Sequence, residues 1–305
     1  MTVRVAVLGC GAIGSLYAAH LARLPDVEVW AVDPAETHMR AIDAQGLRVS
    51  GVADFVAPVH ALTDATRLPP CDFGLVATKA PHTRDAVAAA RPALLEATVV
   101  SLQNGVGNED VVAELVPLVG RGSIVPAGHL TGPGVVNLDG AGDTWLGPFE
   151  PSPAPMDSLQ RLAALLTAGG LPAEALADVR GPQWTKVVFN SATSPLSALT
   201  GLSVGQVCTN PGLRVQVDRL IDEALLVCQE SGIVLAIDPR HSVEEAIEEA
   251  FWHRPSMLQD VAARRPTEID VLNGGIAAEG RRVGVPTPAH DSMVALVHGL
   301  EAAWS

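Results

Sequence analysis

Apolar and polar positions alternate in two distinct rhythms along this chain. Residues 3–8 form a short β-branched run that predicts a strand, and the run stops at Gly9-Cys10-Gly11-Ala12-Ile13-Gly14. The following stretch, 15–24, reads as helix, and residues 27–32 predict a second strand. Further apolar runs at 73–77, 98–102 and 123–126 alternate with helical segments, as in a doubly wound, mostly parallel sheet. Near residue 175 the strand-like runs give way to long segments of period 3.6. Leu213, Val217, Leu220, Ile221, Ala224, Leu225 and Cys228 share one face of a helix predicted over 211–231. Residues 183–194 predict an apolar helix that ends before Pro195, and Ser242 with Glu245 has the spacing of a capping box. The expected architecture is an α/β domain over 1–177 followed by an all-α domain over 178–305.

The junction of the first strand and helix carries the first chemistry. Three glycines spaced G-x-G-x-x-G between a strand and a helix allow a tight turn, close backbone approach to a pyrophosphate and close helix–strand packing, which is a Rossmann dinucleotide site. The helix N-terminus then faces the phosphates, so Gly9, Cys10, Gly11, Ala12, Ile13 and Gly14 are candidate cofactor-binding residues. Asp33 follows the second strand about twenty residues on. Its carboxylate either accepts hydrogen bonds from a ribose 2′-OH, favouring NAD(H) over NADP(H), or serves as a turn residue before Pro34. Two polar clusters close later strands. Lys79, in Thr78-Lys79, either holds cofactor phosphate or ribose or is a solvated surface lysine. Asn104, in Gln103-Asn104-Gly105-Val106-Gly107, either orients substrate and nicotinamide or belongs to an ordinary Asn-Gly turn.

Composition narrows the class. A 305-residue chain, 48% hydrophobic and 18% charged, suits two folded domains. A net charge of −14 argues against nucleic-acid or anionic-membrane binding, because phosphates are repelled across most of such a surface. No segment reaches a membrane-spanning length and no signal peptide is evident at the start, so a cytoplasmic location is expected. Cys10, Cys71, Cys208 and Cys228 lack the close spacing of a disulfide or zinc site and read as reduced, buried thiols, with no metal expected. Lysine is scarce: only Lys79 and Lys186 occur among the 20 basic residues. Where arginine serves every general need for positive charge, the surviving lysines mark places needing a compact, titratable ammonium.

Lys186, Asn190 and Ser194 are spaced i, i+4, i+8 and share a helix face. An ammonium in apolar surroundings loses hydration, which lowers its pKa and eases proton donation near neutral pH. The plainer alternative is a lysine that snorkels from a helix near a domain seam. The apolar helices of this half could also support a homodimer, although a monomer core accounts for them equally well.

Taken together, the glycine motif, Gln103-Asn104-Gly105-Val106-Gly107, Lys186 with Asn190, Ser256-Met257-Leu258-Gln259-Asp260, and Pro266-Thr267-Glu268-Ile269-Asp270 with Leu272-Asn273-Gly274 resemble the ketopantoate reductase family (2-dehydropantoate 2-reductase) across essentially the whole chain. The resemblance implies NAD(P)H-dependent reduction of a small 2-keto acid, 2-dehydropantoate to (R)-pantoate in pantothenate and coenzyme A biosynthesis, with Lys186 as general acid. It implies that Glu268 hydrogen-bonds the substrate or the lysine, that Ser256 binds the substrate's polar end, and that Asn104 and Asn190 fix its orientation. Three departures stand out. The family often has asparagine where this chain has Ser194 and His253, two positions of the substrate pocket, so another 2-keto or 2-hydroxy acid is the main alternative. Family members usually use NADPH and carry basic residues where this chain has Asp33. A non-catalytic sensor of the nucleotide pool would need the glycines but neither Lys186 nor Glu268.

Overall fold

A computed structural model describes residues 2–304. The chain divides into two compact units. One comprises the N-terminal stretch through Gln103 together with Asn108–Val179; the other comprises Asn104–Gly107 and the chain from Arg180 onward. The division thus falls between Val179 and Arg180, two residues beyond the expected boundary. It also assigns four residues of the expected N-terminal domain to the C-terminal unit.

In the first unit an eight-stranded sheet runs in the order Ala173–Ala175, Thr144–Pro148, Val119–Ile124, Thr98–Ser101, Phe73–Val76, Val3–Leu8, Val27–Val32 and His60–Leu62. All neighbours are parallel except Thr144–Pro148 against Val119–Ile124. Strands Val3–Leu8, Phe73–Val76 and Thr98–Ser101 are buried almost throughout, as a parallel sheet covered on both faces requires. A second sheet, in the order Phe55–Ala57, Leu47–Gly51, Val135–Gly140 and Ala127–Gly132, packs on the helix Ala12–Leu21 from the side opposite the large sheet. That helix therefore buries every residue from Gly14 to Leu21 and shows no polar face. Its buried Tyr17 hydroxyl is satisfied by Thr144 Oγ1 at 2.5 Å.

The small sheet and the outer strands of the large one were not expected, and the strand expected over 123–126 is Val119–Ile124 instead. Its glycines conceal it. A Cβ at Gly120 would stand 2.9 Å from Leu159 Cδ2, and one at Gly122 2.7 Å from Ser101 O, so packing excludes the β-branched residues that signal a strand.

The second unit contains no strand among its described residues. Helix Arg180–Thr200 continues through Pro195 rather than ending before it, and it packs against Pro211–Glu230, Ser256–Ala262 and Pro288–Ala302. Val187, Val188, Ala192, Leu220, Ile221, Ala224, Ile276 and Val297 lie in one apolar cluster between them. Ser242 caps nothing: its helix begins at Pro239, where Asp238 accepts the N–H of Arg240. Proline at the first turn after an aspartate is the stronger start signal. The capping box belongs to Ser203 and Gln206, at the start of Val204–Thr209.

Candidate functional site

The glycine loop of the first unit is built by three different constraints. Gly9 adopts φ +88°, and a Cβ there would lie 2.6 Å from the backbone nitrogen of Thr78. At Gly14 a Cβ would come 1.8 Å from Gly9 O, so only a hydrogen lets the helix seat on the loop. Gly11, half-buried at the N-cap, is the opposite case, for a Cβ would meet nothing within 4 Å. Bare backbone at Gly11 faces open space beside the first N–H groups of the helix, together with half-buried Ala12 and Ile13. This is the shape and polarity that a pyrophosphate needs, and the residues present fit a dinucleotide.

Asp33 is part of that loop's frame. Its Oδ2 accepts the Cys10 N–H and its Oδ1 the Ala35 N–H, both at 2.9 Å. Each oxygen keeps a second lone pair for an incoming hydroxyl. Behind the loop, the buried Ser15 hydroxyl donates to Cys10 O at 2.9 Å, and His38 Nδ1 accepts the Gly134 N–H at 3.0 Å. Burial pushes the Cys10 thiol up to about 12, and with its N–H held by Asp33 and its carbonyl by Ser15 the residue braces the loop. Lys79 is half-buried and follows Thr78, whose backbone abuts Gly9; its carbonyl accepts the His82 N–H and opens a short turn.

Gln103 has a structural part that the sequence does not assign. Buried, its Nε2 donates to Thr78 O at 2.8 Å and Thr83 Oγ1 at 2.7 Å, while its Oε1 accepts from Ser101 Oγ at 3.2 Å. It latches together the carboxyl ends of two neighbouring strands at the rim of the loop. A polar residue directly after a buried strand was its one visible signal.

In the second unit, Asn104–Gly107 is fixed by its own backbone. Gly105 adopts φ +85°, with no room for a Cβ against Val271 O at 2.3 Å; Val271 O also accepts the Val106 N–H at 2.8 Å. Gln183 Nε2 donates to Gly105 O at 3.2 Å. These contacts bring Asn104 Nδ2 to Glu268 Oε2 at 3.4 Å, so the Asn-Gly segment is more than an exposed turn. Lys186, itself half-buried, responds to the same carboxylate. Burial pushes its ammonium down to about 8, and the charge of Glu268 opposes that shift. Asn190 is half-buried one turn on and Ser194 is buried a further turn on.

Helix Ser256–Ala262 packs on the lysine-bearing helix, and Ser256 stands exposed at its first position. His253 is exposed; its carbonyl accepts the Val204 N–H at 3.0 Å, and neighbouring Trp252 is 73% exposed. Asn104, Lys186 and Glu268 thus form one interacting group, with Asn190 and Ser194 on the lysine's helix face and Ser256 and His253 at an open edge. Chemically, the group offers an ammonium able to release a proton near neutral pH, a carboxylate and two amides.

Comparison with known proteins bears on this chemistry. The family model "Ketopantoate reductase PanE/ApbA" matches residues 5–151, and its C-terminal counterpart matches 178–301. A 2-dehydropantoate 2-reductase of Archaeoglobus fulgidus is 31% identical over 300 residues, covering 98% of each chain, and one of Pyrococcus horikoshii is 29% identical with the same coverage. The crystal structure of a PanE/ApbA family ketopantoate reductase from Ralstonia eutropha JMP134 is similar with a TM-score of 0.89 at 33% identity, covering 98% of this chain and 99% of that one. A D-mandelate dehydrogenase with NADH and anilino(oxo)acetate gives a TM-score of 0.88 at 25% identity, with 98% and 99% coverage.

Proposed function

The chain belongs to the ketopantoate reductase family, and from that premise we propose that it reduces 2-dehydropantoate to pantoate with a nicotinamide dinucleotide. It is an oxidoreductase acting on CH–OH groups, and reduction of a keto acid is the reaction its relatives' names support. The observation that carries the reading is half-buried Lys186, whose ammonium feels the same Glu268 carboxylate that accepts from Asn104.

When bound, the reduced nicotinamide supplies the hydride. The residues of this chain do the rest. The turn at Gly11 with Ala12 and Ile13, shaped by Gly9 and Gly14, would receive the pyrophosphate, and Lys79 would contribute positive charge near phosphate or ribose. Lys186 Nζ donates its proton to the keto oxygen. Because that oxygen gains negative charge only as the reaction proceeds, the ammonium stabilises the transition state more than the ground state. Glu268 keeps the lysine charged at neutral pH and, with Asn104, Asn190 and Ser256, orients the substrate. The Asp33 carboxylate would repel a 2′-phosphate and could accept a ribose hydroxyl, which favours NADH.

Steady-state kinetics on 2-dehydropantoate with each nucleotide tests the reading. Turnover should be at least as efficient with NADH as with NADPH, and Lys186→Ala should lower kcat by about 10²- to 10⁴-fold. Retained turnover in Lys186→Ala would sink the catalytic assignment, and a tenfold NADPH preference the role of Asp33. A second reading has its own support: Ser194 and His253 stand where the resemblance often has asparagine, Trp252 is exposed beside His253, and D-mandelate dehydrogenase is a structural neighbour. It holds that a bulkier 2-keto acid is the preferred substrate. Negligible turnover of 2-dehydropantoate beside rapid turnover of an aryl 2-keto acid would establish that reading instead.

A further inference from the structure

The helix that carries Lys186 contains a proline, and a proline inside a helix leaves one carbonyl without its usual donor. Pro195 has no N–H to offer Ser191 O, four residues earlier. That carbonyl is satisfied from outside the helix: Asn273 Nδ2 donates to Ser191 O at 2.9 Å. The same amide donates its other proton to His290 Nδ1 at 3.1 Å, and His290 Nε2 donates to Leu220 O at 2.9 Å. Asn273 and His290 are both fully buried, at 0% exposure.

Each partner fixes the next. Leu220 O can only accept, so His290 carries its proton on Nε2 and presents Nδ1 as an acceptor. An acceptor at Nδ1 and another at Ser191 O fix the asparagine amide with its nitrogen toward both. Asn273 Oδ1 is left buried without a partner, so the residue serves there as a double donor and not as an acceptor.

The location gives this relay its significance. Ser191 O lies between Asn190 and Ser194 on the lysine's helix, and Asn273 opens the helix that follows Glu268 by one turn. The turn between them is itself closed by Leu272 N–H to Glu268 O at 3.2 Å and Gly274 N–H to Ile269 O at 3.0 Å. One amide therefore joins the segment bearing the carboxylate to the helix bearing the ammonium, at the point where the helix lacks an internal bond.

We propose that Asn273 is a positioning residue: by supplying the donor that Pro195 lacks, it sets the approach of Glu268 to Lys186 and so tunes the proton donor. The proposal rests on Lys186 being the acid of the reaction.

A double-mutant cycle between Asn273→Ala and Pro195→Ala tests it, because Pro195→Ala returns an N–H to Ser191 O within the helix. In the Pro195 background, Asn273→Ala should lower kcat at least tenfold. It should also move the alkaline limb of the kcat profile to lower pH, since Lys186 loses part of the carboxylate's support. In the Pro195→Ala background the same change should cost less than threefold and leave the limb in place. If Asn273→Ala alone does not fold, recovery of a folded, active protein by adding Pro195→Ala is the same result. An unmoved limb with only a lower Tm, equal losses in both backgrounds, or failure to fold in both overturns the proposal. Lys186→Ala separates the two levels. Full activity there removes the acid itself, whereas an inactive Lys186→Ala beside a wild-type-like Asn273→Ala removes only the positioning role.

Discussion

A lysine that must give up a proton is costly to desolvate, and the ionisation of half-buried Lys186 shows that cost. With Lys186 pushed down to about 8, the charged form is favoured at neutral pH but not strongly, so kcat should hold below about pH 8 and fall above it. Lys186→Met removes the desolvated charge and should abolish turnover while leaving Tm unchanged or raised; a large fall in Tm would mean that the ammonium is structural. His290, shifted downward by burial as well, matters at the acidic end of the pH scale. Burial pushes its imidazole from 6.5 down to about 4. Its folded pKa lies below its unfolded one, so it contributes stability that is fully present above pH 6.5 and is lost as pH falls toward 4. At about 1.4 kcal/mol per pKa unit the loss is on the order of 3 kcal/mol. Urea titrations across that window should show it, and a His290→Gln protein should have a flatter profile; equal slopes in the two proteins would contradict the assignment of buried neutral imidazole.

At the level of elements, legibility followed the strength of the local pattern. Strands 3–8 and 27–32 were visible because β-branched residues fill them, and helix Pro211–Glu230 because its apolar face repeats at 3.6. The small sheet is hard to read in the sequence because Leu47–Gly51 is short and ends in glycine, and Ala127–Gly132 has no apolar alternation and carries two glycines. Helix Arg180–Thr200 was cut short at Pro195 because the donor that permits its continuation, Asn273, lies 82 residues from Ser191 along the chain. The candidate residues stand out in the sequence as types and as a motif order; the hydrogen bonds of Gln103, Asn273 and His290 join separate stretches and leave no periodic trace. The glycine turn allows a sharper test than its motif suggests. Gly14→Ala should lower Tm, since its Cβ meets Gly9 O at 1.8 Å, whereas Gly11→Ala adds a methyl to open space and should leave Tm within a degree or two. Both should weaken NADH binding at least tenfold by fluorescence titration. Unimpaired binding in Gly11→Ala would show that no ligand comes close at that turn.

On the scale of the whole molecule, composition and rhythm were enough for two units, one with strands and one without. They could not reveal that the chain passes between the units three times, because the brief transfer at Asn104–Gly107 lies within an otherwise continuous α/β stretch. That transfer limits how halves can be recombined. A hybrid that takes its nucleotide-binding half from a relative and its helical half from this chain should work only if residues 104–107 travel with the helical half. Gly105 O and Val106 N–H are bonded there to Gln183 and Val271, and Asn104 Nδ2 to Glu268. Paired hybrids differing in those four positions alone should differ in kcat by at least tenfold, while equal kcat would make them interchangeable linker. For breeding new specificities, the unit of inheritance is therefore discontinuous, and a single crossover at residue 179 would split a working part between two parents.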